Sequence, residues 1–296
     1  MSDTMRAVLW MGGAILALSS MAVSGRYVTL EHDTFELMLY RSLVGLVVVL
    51  IVSRLTGTYR SINPNKFGWH IARNIAHFSG QNLWFFAISL IPLAQVVSLE
   101  FTGPLWALML APLVLGEEIT RSRVLAALVG FVGILIVTRP FSEPLTPGVI
   151  SAALAAIGFA GSAIFTRRLT RTESITSILF WMTAMQAVFG LVCAGADGHI
   201  KMIAPAAVIW VILIGLAGLA AHFCLTSALR LAPATLVMPV DFARLPVLAL
   251  VGWLLYQEHL DPMVIAGGVL IIGANWANLH AEGRRSRLAQ ETGRLA

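Results

Sequence analysis

Long apolar runs follow one another along almost the whole chain, and they constrain the fold more than any other feature of the sequence. A membrane-spanning helix needs roughly 20 apolar residues, and ten runs have about that length. They cover residues 7–26, 34–53, 68–90, 93–115, 122–139, 147–167, 174–194, 205–229, 233–256 and 263–280. The loops that remain in a chain of 296 residues are too short for a separate soluble domain. We therefore predict an all-α integral membrane protein with ten transmembrane helices.

The boundary between the third and fourth runs is the shortest in the sequence. Only the stretch from Leu90 to Leu93, which contains Pro92, separates them. Proline disfavours a helical conformation in the residue before it. We therefore predict a tight turn here rather than one long helix.

The composition and the motifs exclude several classes of protein. Hydrophobic residues make up 58% of the chain and charged residues 12%, against roughly 45–50% and about 25% in soluble domains. Such a chain holds no nucleic-acid-binding domain, and Cys193 and Cys224 lie in apolar runs with no disulfide framework. The sequence has no phosphate-binding loop, no zinc-binding His-Glu-x-x-His and no Gly-x-Ser-x-Gly elbow. We predict no catalytic residues, no metal, no cofactor and no enzymatic activity.

The distribution of Lys and Arg predicts the orientation in the membrane. If the N-terminus lies inside, 15 of the 20 basic residues fall in inner loops, three in outer loops and two inside spans. The inner set is Arg6, Arg54, Arg60, Lys66, Arg73, Arg121, Arg123, Arg167, Arg168, Arg171, Arg230, Arg284, Arg285, Arg287 and Arg294. Cytoplasmic loops are enriched in positive charge. We predict a multi-pass protein of the inner membrane with both termini in the cytoplasm.

The chain also repeats itself with a shift of 141 residues. Ala87 then falls on Ala228 and Pro92 on Pro233. The further coincidences are Glu100-Phe101 with Asp241-Phe242, Glu117 with Glu258, and Arg26 with Arg167. Five spans in each half force the halves into opposite orientations, an arrangement typical of secondary transporters with a substrate site between the repeats. We predict repeats at 1–141 and 142–281 and a basic cytoplasmic tail at 282–296, the alternative being chance similarity between apolar helices.

Part of each repeat resembles a known family. The motifs that carry the resemblance are Pro104 through Leu113, Gly116-Glu117-Glu118-Ile119-Thr120, Gly130 and Gly133 in the first half, and Pro246, Glu258 and Gly267-Gly268 in the second. They resemble the closing half of an EamA domain, the repeat unit of the drug/metabolite transporter superfamily. The opening half is represented by Arg41. The resemblance extends over about residues 7–280 and is greatest to YddG-type exporters of aromatic and other amino acids.

Polar residues on the third predicted span form one candidate binding face. His77, Gln81 and Trp84 recur at spacings of four and three, which places them on one side of a helix. The repeat puts His222 at the position of Gln81, so each half offers one imidazole. We predict that these four residues bind the substrate. The alternative is that both histidines are structural residues at a helix interface.

Four charged residues inside spans are candidates for setting the charge of the cavity or for coupling transport to protons. Glu100 and Asp241 occupy equivalent positions of the two repeats, and Arg244 lies three residues after Asp241. Neighbours at this spacing on a helix neutralise one another, which leaves Glu100 as the candidate proton carrier. A structural ion pair is the alternative. Arg41 has a candidate counter-charge in Glu36 or in an acid of another span.

Two prolines within predicted spans are candidates for shaping the helices. Pro104 and Pro246 remove a backbone donor, which bends a helix and frees the carbonyl four residues earlier. Broken helices commonly border transporter sites. Packing alone is an equally good explanation of a proline in a membrane helix.

Taken with the resemblance, these features predict a secondary transporter that exports small organic solutes, chiefly aromatic or other apolar amino acids, by alternating access. Its partners are the solute and the lipid bilayer, without nucleic acid, and we expect a monomer. An exporter of lipophilic cations or drugs would use the same acids and aromatic residues. From another class, a membrane enzyme or structural subunit that handles lipid intermediates is a further alternative.

Overall fold

The computed structural model describes residues 3–29, 31–116, 121–139, 145–196, 198–232, 237–259, 261–270, 272–274, 276–277 and 280. Every regular element in these ranges is helical. The α-helices are α1 Asp3–Val28, α2 Thr34–Leu55, α3 Phe67–Leu90, α4 Leu93–Glu100, α5 Gly103–Leu115, α6 Arg121–Thr138, α7 Pro147–Leu169, α8 Ile175–Ala194, α9 Val208–Leu231 and α10 Arg244–Tyr256. Short 3-10 helices cover Thr58–Ser61, Pro205–Ala207 and Met238–Ala243, and residues 262–270 are helical as well.

Five of these helices are long and apolar enough to cross a membrane. They are Met5–Val28, Thr34–Leu55, Pro147–Leu169, Ile175–Ala194 and Pro205–Leu231. The bent pair Leu93–Ala107 and Met109–Leu115, with an angle of 45°, would add a sixth. The structure therefore supports a helical membrane protein with several spans, and the number ten stays a prediction.

The predicted turn around Pro92 is confirmed. Helix α3 ends at Leu90 and α4 begins at Leu93. The amide of Ile91 still donates to the carbonyl of Ala87, so α3 keeps its last helical hydrogen bond before the chain turns.

The two halves of the chain pack on each other in a symmetric pattern. Helix α1 packs against α9, α2 against α8, α3 against α7, and α4 against α10. The shift of 141 residues relates α1 to α7, α2 to α8 and α3 to α9. Exchanging the halves therefore converts the α1–α9 contact into the α7–α3 contact and leaves α2–α8 unchanged. This pattern is what two related repeats give when a pseudo-two-fold axis relates them.

Glycines bring α3 and α7 into backbone contact. A Cβ atom on Gly158 would lie 2.7 Å from the carbonyl oxygen of Ala76, and one on Gly80 would lie 3.1 Å from that of Ala155. Small residues at helix crossings allow backbones to approach in this way in membrane proteins. The contact fixes α3 against the other repeat, and with it the polar face of α3.

Candidate functional site

A cavity lies between the two halves, with free space of about 760 Å³ including its open mouth. The lining residues are Met11, Ala14, Leu18, Met21, Arg73, His77, Gln81, Trp84, Glu100, Phe159, Ser162, Ala163, Thr166, His222, Leu225, Thr226, Asp241 and Arg244. The structure thus brings together seven of the residues selected from the sequence, which come from α3, α4, α9 and the segment around the start of α10. They are His77, Gln81, Trp84, Glu100, His222, Asp241 and Arg244.

The two histidines meet in the middle of this cavity. The rings of His77 and His222 lie 4.5 Å apart between centroids, nearly perpendicular, and the ring of Phe159 lies 6.0 Å from His77. Nε2 of His77 and Nε2 of Gln81 are buried and form no hydrogen bond within the part of the chain that the structure describes. A buried polar group without a hydrogen-bond partner costs free energy. A solute that forms hydrogen bonds with these two atoms would remove that cost.

The acids form one cluster around Arg244. Its Nη2 donates to Oε1 of Glu100 at 2.5 Å and to Oδ2 of Asp241 at 2.7 Å. Trp84 adds a hydrogen bond from Nε1 to Oε2 of Glu100 at 2.9 Å. Glu100 thus has a basic neighbour that its sequence position does not reveal, because α4 packs against α10 and brings Glu100 to the same guanidinium. With both acids ionised, the cluster carries one excess negative charge.

Arg41 lies outside the main cavity and does not pair with Glu36. Arg41 is buried in α2, where Nη1 contacts the sulfur atoms of Met21 at 3.9 Å and Met38 at 3.8 Å. Glu36 instead contacts Nδ1 of His32 at 3.0 Å and accepts the backbone N–H of Lys201 at 2.6 Å. A separation of five residues turns a helix by about 140°, so the two side chains leave on different faces. Arg41 lines a separate small cavity between α2, α8 and α9.

The two prolines occupy helix starts rather than helix interiors. Helix α4 ends at Glu100, and α5 begins at Gly103 with Pro104 in its first turn. Pro246 is the third residue of α10, which follows the 3-10 helix Met238–Ala243. The N–H groups in the first turn of a helix have no intrahelical hydrogen-bond acceptor. Pro104 follows the break between α4 and α5, whereas Pro246 lies where the 3-10 helix continues directly into α10. A role of the two prolines in shaping the helices stays a prediction.

Arg73 is a cavity residue that the sequence argument missed. The charge count placed it in an inner loop, whereas it is 1% exposed on α3 and lines the cavity. This correction leaves 14 inner basic residues (15 − 1), still against three outer ones. The missed signal was periodicity: Arg73 lies four residues before His77 and extends the stripe to Gln81 and Trp84.

A polar network beyond the Trp84 end of α3 ties three segments together. Arg26, near the end of α1, forms an ion pair with Glu258 and donates to the carbonyl of Ile91 at 3.2 Å. Glu258, after α10, also accepts the N–H of Leu93 at 3.1 Å. The guanidinium of Arg26 lies 4.8 Å from the ring centroid of Tyr256. Both α1 and α3 run from the cavity residues Met11 and Arg73 toward this network.

Metal coordination receives no support from the part of the chain that the structure describes. Within those ranges, no group of three or more His, Cys, Asp or Glu side chains is arranged to hold a metal ion.

A cavity bounded by two related helical halves in a membrane protein is the architecture of a transporter. Residues 5–139 and residues 146–278 each match the EamA-like transporter family, and the chain belongs to this family. The family therefore indicates a transporter rather than an enzyme, in agreement with the resemblance noted in the sequence.

Several relatives have names that state a transported solute. The chain is 31% identical to the riboflavin transporter of Brucella anthropi over 254 residues, which cover 84% of this chain and 89% of that protein. It is 26% identical to the S-adenosylmethionine uptake transporter of Rickettsia bellii, covering 92% and 93%. It is 27% identical to the pseudopaline exporter CntI of Pseudomonas aeruginosa, covering 88% and 92%.

The fold has a match among solved structures. One crystal structure superposes with a TM-score of 0.69 at 18% identity and covers 92% of this chain and 96% of its own. This similarity supports the fold.

Proposed function

We propose that the protein is a secondary transporter that exports small organic solutes with an amino-acid head, chiefly aromatic or other apolar amino acids, by alternating access. The observation that carries the proposal is the cavity between the repeats, where the residues selected from the sequence meet around His77, His222 and Arg244. In this proposal ten spans form two inverted repeats, 1–141 and 142–281. The protein is a monomer of the inner membrane, and the tail 282–296 lies in the cytoplasm with the N-terminus.

The proposed orientation places the two ends of the cavity relative to the membrane. With both termini inside, the end near Met11 and Arg73 lies toward the cytoplasm, and the network of Arg26 and Glu258 lies toward the outside. In this proposal, opening to the outside requires that the Arg26–Glu258 contact breaks.

The relatives support solutes that combine polar and aromatic parts. S-adenosylmethionine is an α-amino acid that carries an aromatic adenine, so an aromatic amino-acid solute shares both parts with it. Riboflavin, an uncharged aromatic molecule, is a second candidate, because the relative named for it is 31% identical over most of the chain. The cavity meets both with Trp84, Phe159 and the two imidazoles.

Counterflow in proteoliposomes tests the proposal. Vesicles loaded with an unlabelled solute receive the same solute in labelled form outside, and only a transporter that carries it accumulates the label transiently. The panel contains phenylalanine, leucine, S-adenosylmethionine, riboflavin and the lipophilic cation tetraphenylphosphonium. We expect accumulation of phenylalanine or S-adenosylmethionine above protein-free vesicles. Accumulation of riboflavin alone would select the second candidate, and accumulation of tetraphenylphosphonium alone would refute an amino-acid head.

A further inference from the structure

Arg73 is a buried cation whose hydrogen-bond partners among the described residues are neutral. Its Nε donates to Oγ1 of Thr166 at 3.2 Å, and its Nη1 donates to Oδ1 of Asn74 at 2.9 Å. Among the residues that the structure describes, no carboxylate forms an ion pair with it. A guanidinium has five N–H donors, so most of its hydrogen-bonding capacity is unused. A charge inside a membrane protein is costly and usually has a partner or a function.

The surroundings of Arg73 are positive or neutral rather than acidic. His77 lies one helical turn further along α3, and the ring of His222, on α9, contacts the ring of His77. The acidic cluster lies at the other end of the cavity, where Trp84 holds Glu100. Arg73 and Trp84 are separated by about 16 Å along α3 at 1.5 Å per residue. The cavity is therefore polarised, with a free cation at one end and one excess negative charge at the other.

We infer that Arg73 binds the carboxylate of the transported solute, and that the body of the solute extends along His77 and Gln81 toward Trp84. This inference rests on the proposed transport function and adds the chemical class and the orientation of the solute. A planar guanidinium pairs with a carboxylate through parallel hydrogen bonds. A lipophilic cation has no group for this site.

The length of the cavity adds a second feature to the solute. The ammonium and carboxylate groups of an α-amino acid are only a few ångströms apart, so one amino-acid head does not reach both charged ends of the cavity. The end of the solute remote from its carboxylate faces Glu100, Asp241 and Arg244. Oδ1 of Asp241 is buried without a hydrogen-bond partner in the described residues and accepts a donor placed there.

Three probes with the same ring test this assignment by equilibrium binding to the purified full-length protein. L-Phenylalanine carries both charges, 3-phenylpropionate only the carboxylate, and phenethylamine only the ammonium. A hydrogen bond to a charged group contributes enough that Arg73→Gln should weaken the binding of both carboxylate probes about 10- to 100-fold. The binding of phenethylamine should stay within about threefold, because it does not use Arg73. Arg73→Lys should restore part of the loss, since it keeps the charge but not the planar fork.

Arg168→Gln is the matched control. Arg168 lies on α7 outside the main cavity, where its guanidinium donates to the backbone carbonyl of Val114 at 2.6 Å. Its replacement should leave the ratio of phenylpropionate to phenethylamine affinity unchanged. This ratio is insensitive to the fraction of misfolded protein, so a general loss of stability does not imitate the expected result.

The outcomes separate this inference from the proposed function. An equal loss of phenylpropionate and phenethylamine affinity in Arg73→Gln would overturn the role of Arg73, as would no binding of either carboxylate probe to the wild-type protein at about 10 mM. An equal change of the ratio in Arg168→Gln would overturn it too. Counterflow of solutes without a carboxylate would leave a transporter in place but refute this site. Binding of the carboxylates through Arg73 without any counterflow would keep the site and refute transport.

Discussion

Arg244 compensates two buried carboxylates at once, and this makes its replacement the most informative single change in the cavity. The guanidinium contacts Glu100 at 2.5 Å and Asp241 at 2.7 Å and is 1% exposed. Arg244→Gln would leave both acids buried without a cation. Loss of one partner of a buried ion pair costs about 3–5 kcal/mol.

The neutral variants of the acids should behave differently. Glu100→Gln leaves Arg244 paired with Asp241, and Asp241→Asn leaves it paired with Glu100. Each single variant therefore retains a balanced pair, and we expect a change in stability within about 1 kcal/mol. The triple variant Glu100→Gln, Asp241→Asn and Arg244→Gln removes every charge of the cluster. It should recover most of the stability that Arg244→Gln loses, because no buried charge is left unpaired.

The apparent unfolding temperature of the purified protein in one detergent measures this series. Arg244→Gln should unfold several degrees below the wild type, whereas both single acid variants should unfold near the wild-type temperature. The triple variant should unfold between Arg244→Gln and the wild type. Arg168→Gln serves as a control arginine, since Arg168 donates to a backbone carbonyl, that of Val114, at 2.6 Å. If Arg244→Gln unfolds at the same temperature as Glu100→Gln, or if the triple variant is less stable than Arg244→Gln, the charge balance described here is wrong.

Four single variants test the transport roles of separate parts of the site. Glu100→Gln and Asp241→Asn should each retain exchange of labelled for unlabelled solute but lose uphill movement driven by a pH gradient. The reason is that the remaining balanced ion pair has no excess negative charge to accept a proton. Wild-type flux that ignores the gradient would indicate a facilitator. His77→Ala should lower flux more than unfolding temperature, and an equal loss of both would favour the structural-histidine alternative. In a Met21→Cys, Cys193→Ala, Cys224→Ala background, Arg26→Gln should release the end of the cavity near Arg26. It should therefore increase the reaction of the cysteine at position 21 with an impermeant thiol reagent applied outside. Unchanged labelling would show that Arg26 does not hold that end closed.

Periodicity and the internal repeat predicted much of the fold. Most apolar runs coincide with single helices over the described residues, although the run 93–115 forms two, α4 and α5. The turn before Leu93 follows from the restraint that Pro92 imposes on Ile91. Sequence comparison over a shift of 141 residues also indicated that the halves are related, and the packing of α1 on α9 and of α3 on α7 has the matching symmetry. These features depend on local patterns, which is why they can be read from the sequence.

The partners of the charged residues could not be predicted in the same way. The spacing of Asp241 and Arg244 predicted their contact correctly, but the second contact, from Arg244 to Glu100, joins residues 144 positions apart. The candidate pairing of Arg41 with Glu36 does not form for a local reason, since a separation of five residues does not return to the same helix face. Arg73 was assigned to a loop because positive charge alone was counted, although its spacing to His77 already placed it on the cavity face.

The central claim is that solute crosses the membrane through the cavity between the repeats, and a cysteine in its wall tests that claim most directly. Ser162 on α7 lines the cavity, and Ser151 on the same helix is similarly buried but does not. In the Cys193→Ala, Cys224→Ala background, a methanethiosulfonate reagent should abolish counterflow in Ser162→Cys, the solute should protect against this loss, and Ser151→Cys should be unaffected. Full counterflow after complete modification of Ser162→Cys would contradict the account.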